Sequence, residues 1–275
     1  MGGLLSPHYS WQMSGQSGPP AVLLDIDGVL YIGDEPIPGA VEALRELREL
    51  SLGVRLVTNT TSRSRGEILA HLHELGFEVD RSEVLTPAAL AVRHCREQGH
   101  RRVRLLVADA LLEDLQELAP ASGSDPIDAV VLGDLGGGFT AEVLNEAFRL
   151  LMEGAELVAL QHNRFWRDKD GLVLDVGAYS AALEYASGQA AVVVGKPSPT
   201  FFAAALADLG AGPENAVMVG DDIEADVGGA IDAGLRGLLV RTGKFREDLL
   251  ESSQVTPSGV LDSIAGVAAL LRAHG

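Results

Sequence analysis

From residue 21 onward, short apolar runs alternate with longer stretches in which apolar residues recur every three or four positions. Residues 21–26 form an apolar run that predicts a buried strand, and residues 39–50 follow with Val41, Leu44, Leu47 and Leu50 at helical spacing. Residues 53–58 predict the next strand and residues 66–75 the next helix. The alternation returns after residue 190, with strands over 191–194, 216–219 and 237–240 and helices over 200–209 and 224–233. The middle alternates too, with strands over 104–107, 128–133 and 156–160 and helices over 113–118, 140–152 and 178–186. Strand–helix–strand repetition of this kind implies an α/β fold, a parallel sheet with helices on both faces.

Composition fits a globular protein: 275 residues, 47% hydrophobic and 22% charged, enough chain for one large domain or two ordinary ones. The net charge of −18, from 21 Lys and Arg against 39 Asp and Glu, argues against a nucleic-acid partner, which would need a basic surface. It leaves room for a small anion, because a metal or a few local cations can reverse the sign inside one pocket. Cys95 is the only cysteine, so no intramolecular disulfide or Cys-rich zinc site forms; in Arg93-His94-Cys95-Arg96 it reads as a half-buried helical residue rather than a nucleophile. No apolar run reaches the roughly 18–20 residues of a membrane span. Residues 1–20 carry Gly, Ser and Pro but no Lys or Arg, unlike a secretory signal, and read as a mobile extension in which Met13 can be the start. A cytoplasmic location is expected.

Four strand ends carry the chemistry. Asp25-Ile26-Asp27-Gly28 closes the first strand, where carboxylates two apart are expected on one face near the edge at which parallel sheets bind ligands. Thr58-Asn59 closes the second and offers a hydroxyl and an amide to a phosphate. Lys196, one of only three lysines (with Lys169 and Lys244), follows the apolar run 191–194. Gly220-Asp221-Asp222-Ile223-Glu224-Ala225-Asp226 follows the run 216–219, and carboxylates so crowded need a cation or a proton. Each string alone also reads as a turn, a cap or an acidic helix start. Their conjunction in this order is specific.

It resembles the haloacid dehalogenase superfamily of phosphohydrolases, whose four motifs match Asp25 with Asp27, Thr58, Lys196, and Asp221 with Asp226. The resemblance implies a Rossmann-like three-layer parallel-sheet core with an inserted α/β cap domain. The 33 residues from Asp25 to Thr58 are too few to hold a cap, whereas the 138 from Thr58 to Lys196 can hold one. That places the core at 21–86 and 190–275 and the cap at 87–189, the type-2 arrangement. Within that branch, Gly171-Leu172-Val173-Leu174-Asp175-Val176-Gly177 and Val194-Gly195-Lys196-Pro197 are most similar to the phospholysine phosphohistidine inorganic pyrophosphate phosphatase group. Members of that group carry Ser at the second acidic position, whereas this chain keeps Asp27.

The resemblance further implies a Mg²⁺-dependent phosphatase of a small phosphorylated molecule. Asp25 is its nucleophile and Asp27 its general acid and base. Asp25, the Asp27 carbonyl and Asp221 hold the metal, with Asp222 and Asp226 behind them. Thr58, Asn59 and Lys196 hold the phosphate. The carboxylates of Asp25, Asp27, Asp221 and Asp226 sum to −4 when ionised and Lys196 brings this to −3, so a phosphate dianion needs the metal. In the cap, Arg164 can pair with a distal anionic group and Trp166 can wall the pocket, beside the plainer reading of 162–167 as a surface loop. A homodimer through the cap is also implied; a membrane or nucleic-acid partner is not. Gly133-Asp134-Leu135-Gly136-Gly137-Gly138 completes no phosphate-loop fingerprint and reads as a turn, and His71 and His73 read as surface residues. The alternative function is a phosphoacceptor or phosphate-binding regulator on the same fold. A single-domain receiver lacks the length for a cap, and an oxidoreductase lacks its glycine fingerprint.

Overall fold

In the Ala21–Asp25 strand all five residues are buried, the pattern of a strand covered on both faces. It is the pivot of a six-stranded sheet in a computed structural model that describes residues 20–118, 126–168 and 171–274. Apart from Pro20, the extension expected over 1–20, Met13 included, lies outside the described residues. The sheet runs Gly259–Leu261, Arg236–Val240, Ala216–Gly220, Ala21–Asp25, Gly53–Val57, Val84–Leu85. Every neighbouring pair is parallel. From the central strand the chain steps outward through Gly53–Val57, and from Ala216–Gly220 it steps outward the other way. Strand order therefore reverses between Ala21–Asp25 and Ala216–Gly220, and the crevice at the carboxyl ends of such a pair is where open α/β sheets bind ligands.

The chain divides into two compact units. The first comprises the described residues up to Thr58, Leu69–Leu85, and those from Lys196 onward, and contains the six-stranded sheet. Its Ala40–Glu49 helix buries Ala40, Ala43, Leu44 and Leu47 and packs on Val267–His274. The Pro199–Ala207 helix starts on a proline, whose missing N–H is no loss in a first turn, and buries Phe201 and Phe202 edge to face at 5.7 Å.

The second unit comprises Asn59–Ile68 and the described residues of Thr86–Gly195. It holds a parallel sheet in the order Val192–Val193, Glu156–Ala159, Ala129–Leu132, Val103–Leu106. Helices Ala141–Met152 and Val176–Ser187 pack together over Val130, Leu132, Leu151, Leu157 and Leu183. Thr140 and Asp175 cap them by accepting the Val143 and Val176 N–H groups at 3.3 and 2.8 Å. The Gly-rich turn before Thr140 is closed by Asp134, whose Oδ1 accepts the Gly136 N–H at 2.8 Å.

Five expectations need correction. The apolar run at 191–194 is the edge strand of the second sheet, pairing Val192 with Val158, and not a strand of the core sheet. The helix expected over 113–118 is two 3₁₀ turns, Asp109–Glu113 and Gln116–Leu118, where the Gln116 side chain competes for the backbone by donating to the Glu113 carbonyl at 2.8 Å. The helix expected over 224–233 opens as a wide π-type turn, Ile223–Gly228, before the short helix Gly229–Asp232. The loop expected over 162–167 contains the strand Phe165–Asp168, paired antiparallel with Gly171–Leu174. His71, read as a surface residue, is only partly exposed; its ring meets Tyr31 edge-on at 4.8 Å and its Nε2 lies 3.1 Å from the Gly33 carbonyl. Among the described residues no helix is long and apolar enough to cross a membrane.

Candidate active site

Asp25 is the last residue of its strand and is 6% exposed. Lys196 Nζ lies 2.7 Å from Asp25 Oδ1 and 2.6 Å from Asp226 Oδ1, so one ammonium bridges two carboxylates. All three side chains are buried, as is Asp221 at the tip of the adjacent Ala216–Gly220 strand. Carboxylate oxygens of Asp25, Asp221 and Asp226 lie within 4.8 Å of one another. Three buried carboxylates around one ammonium leave an excess of negative charge, and the proton affinities record it. Burial pushes the Asp25 carboxyl above the usual range; Lys196 pulls it back only in part, and Asp221 adds to the rise. Asp226 is pushed up to about 7, first by burial and then by the charge of Asp25. Asp221 also reaches about 7, by burial and then by Asp226. Burial works against the Lys196 ammonium, but Asp226 and Asp25 outweigh it and hold its pKa above the ordinary lysine value.

The π-type turn explains how Asp226 gets there. The Asp222 carbonyl accepts N–H groups from both Asp226 and Val227, at 3.1 and 3.2 Å, which widens the turn by one residue. Asp226 Oδ2 accepts the Asp222 N–H at 3.2 Å, and Asp222 Oδ1 caps the turn by accepting from Glu224 and Ala225, both at 3.0 Å. Asp222 therefore serves its own backbone.

Two glycines crowd Asp221. A Cβ on Gly28 would lie 1.9 Å from Asp221 Oδ2 and one on Gly243 would lie 2.0 Å from it, and both residues have positive φ (83° and 61°). The Lys244 N–H donates to that same oxygen at 2.7 Å, and the Thr242 hydroxyl donates to the Gly28 carbonyl at 2.5 Å. Asp221 Oδ1, by contrast, is buried without a hydrogen-bond partner. An orphaned carboxylate oxygen beside two further carboxylates, all hard oxygen donors, fits a divalent cation such as Mg²⁺.

The other expected site residues fall as follows. Asp27 is exposed and stands outside the carboxylate cluster, because the strand ends at Asp25 and the chain turns there, Asp27 making an isolated bridge to Tyr31 and the Gly28 N–H donating to the Tyr31 carbonyl at 2.8 Å. The two carboxylates thus do not share a strand face as the spacing predicted. Thr58 is buried one residue beyond Val57, the register partner of Asp25. Asn59 and Arg164 belong to the second unit; Asn59 lies against Gly195, where an added Cβ would meet its Oδ1 at 2.8 Å, and Arg164 is exposed. Trp166 lies on the Phe165–Asp168 strand, and its side chain lies outside the described residues. Thr242 and Lys244 have backbone-fixing roles that residue types alone did not reveal; the only signal was Arg241-Thr242-Gly243-Lys244 following an apolar strand.

A family model described as haloacid dehalogenase-like hydrolase matches residues 22–119, and one described as HAD-hydrolase-like matches 193–267. Haloacid dehalogenase-like hydrolase domain-containing protein 2 of Bos taurus is 47% identical over 226 residues, 82% of this chain and 85% of that protein. Phospholysine phosphohistidine inorganic pyrophosphate phosphatase of Homo sapiens is 42% identical over 264 residues, 94% of this chain and 96% of that protein. Among solved structures, the glycerol phosphate phosphatase of Mycobacterium tuberculosis in complex with magnesium superposes with a TM-score of 0.78 at 30% identity, covering 92% of this chain and 78% of that one. The chain therefore belongs to the haloacid dehalogenase-like hydrolases and is an enzyme of their phosphatase type.

Proposed function

We propose that the enzyme is a Mg²⁺-dependent phosphatase that hydrolyses a small phosphorylated metabolite through an aspartyl-phosphate on Asp25. The observation that carries this reading is the pairing of Asp25 with Lys196 beside the unsatisfied Asp221 Oδ1, at the point where strand order reverses. An Asp25 carboxylate oxygen attacks phosphorus, and the bond to the leaving oxygen breaks as Asp27 delivers its proton. Asp27 then takes a proton from water, which attacks the same phosphorus and returns Asp25 as a carboxylate. The exposure of Asp27 supports this role, since a residue that exchanges protons with leaving group and water must meet both. Lys196 holds the Asp25 oxygen in place and offsets phosphate charge, with Thr58, one residue past the register partner of Asp25, as a further phosphate donor. Mg²⁺ would be held by Asp25, the Asp27 carbonyl and Asp221, and when bound supplies the positive charge that lets an anion enter this acidic site.

The substrate class extends from the relatives: a pyrophosphate and phosphoamidate phosphatase and a glycerol phosphate phosphatase bracket phosphomonoesters, pyrophosphate and phosphoamidates. A panel of these three classes, assayed with Mg²⁺ and again in excess EDTA, tests the reading. Multiple turnover of at least one class is expected, with at least about 10³-fold less rate under chelation and recovery on adding Mg²⁺. Full rate in EDTA, or uptake of one phosphoryl group without further turnover, contradicts it.

For the partner, we propose a second copy of the chain at the hairpin of the second unit. Phe165 and Leu174 are register partners and Leu172 is two residues from Leu174, so three side chains that are 53%, 59% and 62% exposed share one face. Sedimentation equilibrium is expected to give a dimer, and a monomer for the Leu172→Glu, Leu174→Glu variant; a wild-type monomer rejects the proposal.

A further inference from the structure

The second unit carries a cluster that the hydrolytic chemistry does not use. His94 lies just before the last turn of the Pro87–Gln98 helix, which Gly99 terminates in the left-handed conformation (φ 77°). The turn brings His100 back beside His94, with ring centroids 6.2 Å apart, and the His100 N–H donates to the Cys95 carbonyl at 2.8 Å. Both imidazoles converge on one oxygen: His94 Nε2 lies 2.7 Å and His100 Nε2 2.8 Å from Glu156 Oε2. Glu156 opens the strand Glu156–Ala159, and its neighbour Asp128 pins the returning chain by accepting the Arg101 and Arg102 N–H groups at 2.7 and 2.9 Å. All three groups therefore sit on fixed backbone, and all are partly exposed, at 19%, 18% and 32%, so an ion can reach them.

We propose that His94, His100 and Glu156 form a second metal site, selective for a late first-row divalent ion such as Zn²⁺. Two imidazoles and one carboxylate are the donor set of three-ligand zinc centres, with the fourth position left to water. Bonds of roughly 2.0–2.1 Å in a tetrahedron set ligand atoms about 3.3 Å apart, so the observed 2.7 and 2.8 Å contacts need open by only about 0.5 Å. Burial disfavours the Glu156 anion, but the hydrogen bonds from His94 and His100 outweigh it and keep the group below the usual carboxylate range, ready to ligate. Cys95, next to His94, is fully buried and is not among the ligand atoms that converge. The donor sets separate the two sites chemically, because oxygen-only ligands suit Mg²⁺ whereas imidazole suits Zn²⁺.

Zinc binding to the full-length chain in saturating Mg²⁺ tests the proposal without reference to activity. Calorimetry is expected to show one Zn²⁺ per chain, and Co²⁺ substitution the intense visible absorption of a four-coordinate ion. The His94→Gln, His100→Gln variant is expected to bind at least about 100-fold more weakly, since even outer-shell partners of metal ligands contribute 10–100-fold. Zinc should raise the melting temperature of the wild type but not of this variant. Glu156→Gln, which keeps the side-chain shape, is a second variant expected to weaken binding. Absence of zinc binding in the wild type, or binding that all these substitutions leave unchanged, overturns the site.

Discussion

Asp25→Asn is expected to lower kcat by at least about 10⁴-fold while leaving the protein folded and cooperatively melting. An amide matches the carboxylate in shape and can still accept the Lys196 hydrogen bond through its oxygen, so packing at the end of the Ala21–Asp25 strand survives. Lys196 also keeps its 2.6 Å pair with Asp226. The substitution removes one buried anion from a cluster with too many, which offsets part of the weakened ion pair. What cannot survive is nucleophilic attack, because an amide oxygen does not form the acyl-phosphate. Substrate binding should change far less than kcat, and a rate within tenfold of wild type contradicts the assignment of Asp25.

The second large effect is on stability. Lys196→Met keeps most of the side-chain length but removes the ammonium paired with both Asp25 and Asp226, and breaking one side of a buried pair is strongly destabilising, by about 3–5 kcal/mol. Asp221 stands beside them, so the variant confines three carboxylates with no buried cation among them. Chemical denaturation should show this loss in metal-free buffer and partial recovery with Mg²⁺, which restores positive charge to the cluster. Activity should fall by about 10²–10³-fold even where the variant is folded. Unchanged stability would show that Lys196 does not neutralise the cluster.

Much of this site was legible in the sequence, for a definite reason. Uninterrupted apolar runs such as 21–26 and 216–219 mark buried parallel strands, and a polar residue straight after such a run must sit at the ligand-binding edge. Asp25 and Asp221 were accessible by that logic. Lys196 was found through the same rule but for a partly mistaken reason: Val192–Val193 belongs to the other sheet, and an apolar run does not say which sheet it joins, since pairing with Val158 is a long-range fact. The π-type turn was invisible because its width rests on the Asp222 carbonyl accepting two N–H groups, which no residue type announces. Asp27 was expected to face with Asp25, yet the chain leaves strand geometry between them. Thr242 and Lys244 were missed because Lys244 acts through its backbone N–H, which carries no residue signature. The His94, His100 and Glu156 cluster joins positions 62 and 56 residues apart, a separation no local pattern reports.

The covalent intermediate tests the central claim most directly. The enzyme is mixed with Mg²⁺ and its fastest phosphorylated substrate, quenched in acid within milliseconds, digested and analysed by mass spectrometry. The predicted result is one phosphoryl group on the peptide that holds Asp25, absent from the Asp25→Asn protein. Phosphoryl transfer to another residue, or undiminished turnover by Asp25→Asn with no phosphorylated peptide at all, would contradict it.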